Sequence, residues 1–381
     1  MLPSSTEVLV VGAGPVGLAA AAALRHRGVD VMVIDRQAAG AHTSRAAVVH
    51  PRTLEALDEI GVSEPLAGRS LQLETFTVRD RDRVLMPLRF DRMPSRYRTI
   101  YLVPQSTTEQ VISERLTTFG GRVFRPHVLT GLDQDADGVR ATVDGAHQIR
   151  SDYLIGADGM HSTVREAAGI GFGPDRGGQS FTLADVTVDG GLPADEVGLY
   201  FSPAGMLVCA PLPGGVFRLV AEVLEAPEQP DVAGVQRLLD ERGPSGSPAT
   251  VTSLLWGSRF RIHHRVAERF REGRVLLAGD AAHVHSPAGG QGMNLGLRDA
   301  IALADALSRV YRGAGDAVLD EYAAARRPQA EQVVRLAQRL TRMATVGPGG
   351  RQIRNAVVRA AAMVPGVRFG LAKRLAGLAD R

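Results

Sequence analysis

Cysteine, lysine and aromatic residues are scarce in this sequence, and each scarcity excludes a class of protein. Cys209 is the only cysteine among 381 residues, so an internal disulfide is excluded and a reducing, cytoplasmic location is expected. Lys373 is the only lysine, and the net charge is only +3, so the pI of about 9.3 reflects arginine rather than a large positive excess. Because no dense basic block is interleaved with aromatics, nucleic-acid binding is not predicted.

Long apolar runs are also lacking. Residues 1–7 are polar and show no signal peptide, and the longest apolar runs are too short or too rich in Ala and Gly to span a bilayer. With 44% hydrophobic residues and a mean hydropathy of -0.02, the composition is that of a soluble globular protein with two or three domains.

The first 35 residues form the pattern of a dinucleotide-binding βαβ unit. An apolar strand is predicted over residues 8–11, a helix over 18–28 and a second strand over 31–34. A Gly-X-Gly-X-X-Gly motif follows the first strand, and Asp35 follows the second. An acid there accepts from ribose hydroxyls and disfavours a 2′-phosphate, so the site is predicted to hold FAD or NAD rather than NADP. The fingerprint does not choose between FAD and NAD.

Each glycine of this motif has its own predicted role. Gly12 makes the tight turn, Gly14 lets the backbone approach a pyrophosphate, and Gly17 lets the helix pack on the strand. The other residues expected beside the cofactor here are Pro15, Val16 and Arg36.

A second stretch of the same character spans residues 273–294. A short apolar run over residues 275–278 is predicted to be a buried strand, and it leads through Gly279 and Asp280 into a Gly-rich loop and a helix over 294–307. Small residues let the backbone approach a ligand, and amides at a helix start favour negative charge, so an anion or cofactor site is predicted. The alternative is a tight turn whose glycines serve only geometry.

A third motif, again with Gly and Asp, follows the apolar run at residues 153–155. Asp158 lies in the sequence Gly-Ala-Asp-Gly, and Ser162 is predicted to cap the next helix. Strand ends that carry Asp158 and Asp280 imply one ligand touched by several strands of one sheet.

Two residues outside these motifs have two interpretations each. Arg45 offers a fork of donors suited to a phosphate, but it also fits a solvent-facing loop. Gln105, near the start of a helix predicted over residues 107–119, contacts the ligand or caps the turn.

Alternating and short apolar stretches predict a second, antiparallel sheet that forms a wall of a substrate pocket. Its strands are predicted at residues 71–78, 84–90, 181–188, 197–201, 205–210, 216–223 and 251–261, with a helix over 232–239. A small meander or hairpin is predicted at residues 123–129, 139–143 and 148–149, with Asp-Gly turns at 137–138 and 144–145.

The end of the chain is predicted to be helical over residues 319–346 and 351–378, with a break at 347–350. The second helix carries apolar positions among many arginines, a pattern also typical of helices that lie on membranes. We favour packing against the cofactor domain with the arginine face in water, because the apolar side chains are small. No stable membrane association is therefore expected.

Together the three motifs resemble the signatures of the class A flavin monooxygenases, the single-component FAD aromatic hydroxylases of the para-hydroxybenzoate hydroxylase fold. The motifs occur in the family's order, and the resemblance covers roughly residues 6–340. Residues 44–57 and 270–294 most resemble the branch acting on aromatic polyketides and antibiotics, such as anthracyclines.

The fold implied is α/β: a Rossmann-like FAD-binding domain with an inserted, mostly antiparallel β-sheet substrate domain and a C-terminal helical segment. The FAD-binding domain is expected to be discontinuous, over residues 1–70, 101–176 and 262–340. The substrate domain is expected over residues 71–100 and 177–261, and the helical segment over 341–381.

The resemblance also implies roles for individual residues. The first glycine cluster and Asp35 hold the ADP half of FAD, Arg45 and Gln105 contact FAD, and Asp158 serves both FAD and a passing NADPH. Asp280 binds the ribityl or phosphate region of the flavin. The residues implied beside the isoalloxazine are Pro287, Gly289, Gly290, Gly292, Met293 and Asn294, the last two through backbone amides at its pyrimidine edge.

The reaction implied has three events. NADPH or NADH, docking transiently without a second glycine fingerprint, reduces FAD; O2 converts the reduced flavin into a C4a-hydroperoxide; and the distal oxygen passes to a polycyclic phenol. Alternatives are a Baeyer–Villiger or epoxidising enzyme, an antibiotic-inactivating monooxygenase, or a flavin protein that binds an aromatic ligand without turnover. The intact loop over residues 289–294 argues against the last.

The sequence departs from the family in two places. Many polyketide hydroxylases continue into a thioredoxin-like domain, and this sequence ends at Arg381, where that domain would begin, so a monomer and a dimer both stay open. The helix after Asn294 reads Ala304-Asp-Ala-Leu307 where Trp-Lys is often found, which is expected to affect packing only.

No catalytic acid or base is identified with confidence in the sequence, and no metal site is expected. The polar candidates near the second sheet are Tyr200, Arg218, His263 and His264, for each of which we favour a structural role. His283 and His285 form a pair without a carboxylate or cysteine at metal-ligand spacing, so His283 is assigned to the flavin motif.

Overall fold

The computed structural model describes residues 2–40, 46–175, 178–286, 289–344, 346 and 348–379 of the chain. Arg45 and Pro287, two of the predicted site residues, lie outside the described residues. The strands are β1 (Ser5–Val11), β2 (Val31–Ile34), β3 (Val48–Val49), β4 (Leu71–Leu73), β5 (Thr75–Asp80), β6 (Arg83–Arg89), β7 (Ile100–Leu102), β8 (Arg122–Phe124), β9 (Leu129–Gln134), β10 (Val139–Val143), β11 (His147–Gly156), β12 (Ser180–Gly190), β13 (Glu196–Ser202), β14 (Gly205–Leu212), β15 (Val216–Glu222), β16 (Ala249–Arg261), β17 (Arg265–Val266), β18 (Arg271–Glu272), β19 (Val275–Leu277) and β20 (His283–Val284). The α-helices are α1 (Pro15–His26), α2 (Pro51–Leu57), α3 (Ser63–Gly68), α4 (Gln105–Thr118), α5 (Thr163–Ala167), α6 (Val232–Arg242), α7 (Gln291–Tyr311), α8 (Ala317–Ala344), α9 (Arg351–Ala362) and α10 (Pro365–Leu375).

One eight-stranded sheet carries the predicted βαβ unit. Its main path is β18-β19-β11-β1-β2-β8, with β1 parallel to both β2 and β11 and β19 parallel to β11. The apolar runs of β1, β2 and β19 are buried, as expected for strands covered on both faces. Because β1, β11 and β19 run in one direction, the Gly and Asp motifs that follow them meet at one edge of the sheet.

A second sheet has seven strands in the order β16-β12-β15-β14-β13-β5-β6. All pairs are antiparallel except β13 with β5, so the prediction of a mostly antiparallel sheet is confirmed. One face packs against α6 with Tyr200 and the buried Cys209. The other face carries Phe181 and Phe201 and packs against Ala47 and the C-terminal helices.

Two predicted strands are wrong in extent. Residues 71–78 are not one strand, because β4 joins a three-stranded sheet with β3 and β7 whereas β5 joins the seven-stranded sheet. Residues 123–129 are likewise divided: β8 pairs with β2, and β9 begins the meander with β10. Pro126 lies between β8 and β9, and its lack of a backbone N–H explains why neither ladder continues through it.

The predicted C-terminal helix over residues 351–378 is also wrong as a single element. α9 ends at Ala362 and α10 begins at Pro365, a residue that starts a helix well but cannot continue one. The expected orientation is wrong for part of α9, since Arg354 is buried while Ile353 and Val357 are exposed. Val358 is buried and Arg359 is exposed, as expected. No helix within the described ranges is long and apolar enough to cross a membrane.

Candidate cofactor site

The turn from β1 into α1 shows why the fingerprint needs three glycines. Gly12 has φ +105°, and a Cβ there would lie 2.9 Å from the Cα of Asp158. A Cβ on Gly17 would overlap the carbonyl oxygen of Gly12. A Cβ on Gly14, in contrast, would meet no heavy atom within 4 Å. Gly12 and Gly17 are therefore required by packing, whereas Gly14 leaves an open space suited to a ligand.

Asp35 lies at the end of β2 and faces this turn. Its carboxylate accepts from the backbone N–H of Ala13 at 2.6 Å and of Gln37 at 2.8 Å. Arg125 lies 3.3 Å from the same carboxylate and donates to the Ala13 carbonyl at 3.0 Å. This places an acid and a guanidinium beside the open space at Gly14, which suits the hydroxyls and phosphates of a dinucleotide. Arg36 is exposed.

Gln105 is the first residue of α4 and links it to the segment after residue 45. Its side-chain oxygen accepts from the Ala46 N–H at 3.4 Å, and its amide donates to Glu109 at 2.8 Å. Burial raises the pKa of the Glu109 carboxyl. Gln105 thus holds the chain at Ala46, and a contact of its side chain with FAD stays a prediction.

Asp158 and Ser162 form a capping pair at the start of α5. Ser162 accepts from the Arg165 N–H, as predicted, and donates its hydroxyl to Asp158 at 2.5 Å. The other oxygen of Asp158 accepts from the Val164 N–H at 3.1 Å, and burial raises the pKa of this carboxyl. The carboxylate therefore orders the turn after β11, and its predicted contact with FAD or NADPH is a separate proposal.

The first and last Gly motifs meet at Val16. A Cβ added to Gly279 would lie 2.9 Å from Val16 Cγ2, and one added to Gly296 would lie 2.6 Å from it. Gly279 has φ +64° and follows the buried end of β19, and Asp280 beyond it is exposed. The two motifs are thus in direct contact, as expected if one ligand touches both.

The loop before α7 is held by a segment that the sequence analysis did not assign to the site. His50 donates from Nε2 to the Gly289 carbonyl at 2.9 Å, and its backbone N–H donates to Asn294 Oδ1 at 2.8 Å. Asn294 in turn donates to the carbonyls of Val48 at 2.8 Å and Gly290 at 2.7 Å. Gly289 and Gly290 both have positive φ, which glycine adopts without strain. The side chain of Asn294 therefore fixes the loop, leaving its backbone amide, with that of Met293, at the helix start.

The C-terminal helices close the far side of this loop. Gln291 donates to the carbonyl of Leu375 at 2.9 Å, and Leu375 Cδ2 lies 3.0 Å from the position of a Cβ on Gly289. Gly292 is more open, since a Cβ there would meet only His285, at 4.0 Å.

Two buried histidines beside the loop are held neutral. Burial lowers the pKa of both His50 and His285 from 6.5 to about 4. Each donates from one ring nitrogen to a backbone carbonyl, of Gly289 or Ser286. The other nitrogen of each, His50 Nδ1 and His285 Nε2, is buried without a hydrogen-bond partner among the described residues.

We expect the unfolding free energy to fall as the pH is lowered from 6.5 towards 4. In this window the unfolded chain has protonated His50 and His285 while the folded chain has not, so acid favours the unfolded state. At pH 5 each histidine accounts for about 2 kcal/mol of lost stability. Urea unfolding at pH 7.5 and pH 5 tests this.

The double variant His50→Gln/His285→Gln should lose less unfolding free energy between the two pH values than the wild type. The control is His161→Gln at an exposed histidine, which should show the same loss as the wild type. Equal acid dependence in all three proteins would contradict the assignment.

His283 has the carboxylate partner that sequence spacing did not reveal. Its Nε2 donates to Asp299 Oδ2 at 2.6 Å, and Arg326 Nε donates to Asp299 Oδ1 at 2.6 Å. Burial alone would raise the pKa of the Asp299 carboxyl, but Arg326 and His283 outweigh burial and lower it. This buried cluster ties β20, α7 and α8 together behind the loop.

A second buried ion pair joins the seven-stranded sheet to the same region. Arg218 contacts Asp185 through Nε and Nη2, both at 2.7 Å, and donates from Nη1 to the Ala46 carbonyl at 3.0 Å. Asp185 lies opposite both Arg218 and Trp256 in the sheet register. Arg218, a polar candidate of the sequence analysis, therefore braces the segment of Ala46 to His50 against the sheet.

The other polar candidates lie elsewhere. Tyr200 packs with Val235 and Leu239 on the opposite face of the sheet, and burial raises its pKa. His263 pairs with Asp175 at 2.5 Å in a partly exposed position.

Comparisons with known proteins agree with this geometry. The profile of a family described as "FAD binding domain" matches residues 5–337. The chain is 41% identical over 334 residues to 6-methylpretetramide 4-monooxygenase of Streptomyces rimosus, covering 84% of this chain and 59% of the relative. It thus spans less than two thirds of that relative's length.

Two solved structures extend the likeness to the fold. OxyS anhydrotetracycline hydroxylase from Streptomyces rimosus has a TM-score of 0.82 at 32% identity, covering 98% of this chain and 76% of that chain. The p-nitrophenol 4-monooxygenase PnpA of Pseudomonas putida has a TM-score of 0.87 at 27% identity, covering 99% of each chain. Because the family profile matches most of the chain and these proteins are similar to it, the chain belongs to the FAD-binding family of flavin-dependent aromatic monooxygenases.

Proposed function

We propose that this chain is an FAD-dependent monooxygenase that hydroxylates an electron-rich polycyclic aromatic substrate, using NAD(P)H and O2. The observation that carries the proposal is the junction at Val16, where α1 of the first glycine motif packs against Gly279 and against Gly296 of α7. Relatives whose names describe oxidation of 6-methylpretetramide and anhydrotetracycline support a polyketide-like substrate.

The residues at this junction fit FAD. The open space at Gly14, the acid and guanidinium of Asp35 and Arg125, and the exposed Asp280 suit a dinucleotide that runs along the sheet edge. The amide groups at the start of α7 suit the polar edge of the flavin. When bound, FAD supplies the electron transfer from NAD(P)H and the activation of O2.

The protein's own part is to position the substrate and exclude water. Half-buried apolar side chains extend from the core between the seven-stranded sheet, the segment of Ala46 to His50 and the C-terminal helices, and they suit a flat aromatic ligand. They include Val48, Leu199, Val208, Val220, Phe260, Leu340 and Leu371. Arg218 and Trp256 add polar groups to this otherwise apolar surface.

Anaerobic stopped-flow reduction by NADPH, and separately by NADH, tests the proposal. The protein should purify yellow, and one member of a panel of polycyclic phenols should accelerate flavin reduction and yield a hydroxylated product when O2 is admitted. Tyr200→Phe, on the opposite face of the sheet, serves as the control and should behave as the wild type. Bound FAD that neither nucleotide reduces under any condition would overturn the monooxygenase assignment.

A further inference from the structure

Helix α9 is amphipathic in the reverse of the usual sense. Asp80, at the end of β5, pairs with Arg351 and accepts from the Asn355 amide at 2.6 Å. Arg354 is buried with its guanidinium carbon 4.0 Å from the centroid of the Phe201 ring. Three polar side chains of α9 are thus bound to the body of the protein, which fixes the orientation of the helix.

Apolar side chains therefore face outward. Ile353 is 70% exposed and Val357 61%, one helical turn apart, and Met363 beyond the helix end is 81% exposed. The exposed apolar residues of α9, α10 and the link between them, here called the apolar ridge, are Ile353, Ala356, Val357, Ala360, Met363, Val364, Val367 and Phe369. A group of large exposed apolar side chains on neighbouring helices is typical of an interaction site.

The stretch of chain that carries the ridge has charges of one sign. No Asp or Glu occurs from residue 332 to residue 379. The same stretch contains nine cations: Arg335, Arg339, Arg342, Arg351, Arg354, Arg359, Arg368, Lys373 and Arg374. Of these cations, Arg351 pairs with Asp80 and Arg354 is buried, whereas Arg359 and Arg374 are exposed on the helices that carry the ridge.

We propose that the apolar ridge adsorbs to an anionic lipid bilayer. A bilayer surface of this type offers an apolar layer for Ile353, Val357 and Phe369 and anionic headgroups for the flanking cations. A second copy of the chain fits less well, because a two-fold contact would bring two cationic surfaces together. Adsorption through short surface helices is reversible, and it involves no spanning segment.

One of the two helices that carry the ridge, α10, reaches the candidate cofactor site with its inner side. Leu375 of α10 contacts Gln291 and approaches Gly289, whereas Phe369 of the same helix is exposed. Adsorption would place the site next to the bilayer, where apolar aromatic compounds concentrate. Binding of the ridge to lipid does not depend on the proposed hydroxylase activity.

Vesicle flotation with the FAD-loaded protein of 381 residues tests the proposal. We expect binding to vesicles of equal parts phosphatidylcholine and phosphatidylglycerol at low ionic strength, weaker binding at high ionic strength, and little binding to phosphatidylcholine alone. Ile353→Ser/Val357→Ser should lower partitioning to anionic vesicles at least about tenfold. Leu224→Ser, at an apolar residue 97% exposed elsewhere, should bind as the wild type.

The contrary outcomes are specific. The proposal is wrong if the wild type does not bind anionic vesicles at low ionic strength, or if the double variant binds as well as the wild type. A wild-type dimer in sedimentation velocity that the double variant converts into a monomer would assign the ridge to a second copy instead. Flavin absorbance of each variant reports folding and separates these results from any failure of the proposed reaction.

Discussion

The Gly14→Ala protein is expected to fold with near-normal stability but to lose FAD, whereas the Gly17→Ala protein is expected to lose stability itself. A Cβ on Gly14 would enter open space, so the change in unfolding free energy should stay within about 1 kcal/mol. The same atom should occupy the space needed by the pyrophosphate, lowering FAD affinity at least about a hundredfold, or about 3 kcal/mol.

For Gly17 the clash is internal. Its Cβ would overlap the carbonyl oxygen of Gly12, which lies in a backbone turn that cannot move without separating α1 from β1. We expect a loss of about 3 kcal/mol or more in unfolding free energy, with FAD binding lost as a consequence.

Urea unfolding of the apoproteins and fluorescence titration with FAD measure the two effects separately. Equal destabilisation by the two substitutions would show that Gly14 is required by packing and not by the ligand. Undiminished FAD affinity in Gly14→Ala would place the pyrophosphate elsewhere.

The second large effect is expected at the buried pair of Arg218 and Asp185. The two side chains are only 3% and 15% exposed, so removing one leaves the other charge buried and unpaired. Arg218→Met and Asp185→Leu should each cost about 3–5 kcal/mol, and the double variant should recover most of that loss. Arg218→Met should also weaken FAD retention, because the Ala46 carbonyl loses a donor that holds its segment in place.

A double-mutant cycle by urea denaturation, together with FAD titration, measures these effects. The control is Arg89→Met in β6 of the same sheet, an exposed arginine paired with Glu74 and Asp91, whose removal should leave the unfolding free energy unchanged. Additive costs of the two buried substitutions would show that Arg218 and Asp185 do not act as a pair.

Much of the cofactor half of the molecule could be predicted because its signals are local. The turn at Gly12 to Gly17 depends on residues within one βα connection, and the Ser162 cap depends on an N–H three residues away. The meeting of the three motifs also followed from sequence, because parallel strands place their carboxyl ends at one edge.

The supports of the site could not be predicted, because their partners are distant in the chain. Arg125 reaches Asp35 across 90 residues, and His50 reaches Gly289 across 239. The sequence around His50 and Arg125 contains no pattern from which these partners could be predicted. Only the packing of α2, α4 and α7 around the sheet brings such residues together.

What the sequence alone determined was most of the elements and the cofactor class, since strand periodicity, glycine spacing and capping act within short segments. Tertiary structure decided which face each element presents. The sequence of residues 351–378 predicts a helix with its arginines in water. In the structure, Asp80 and Phe201, more than 150 residues earlier, bind polar side chains of this segment. The ion pair with Asp80 and the contact with the Phe201 ring stabilise this orientation more than the exposure of a few small apolar side chains destabilises it. The apolar face of α9 therefore points outward.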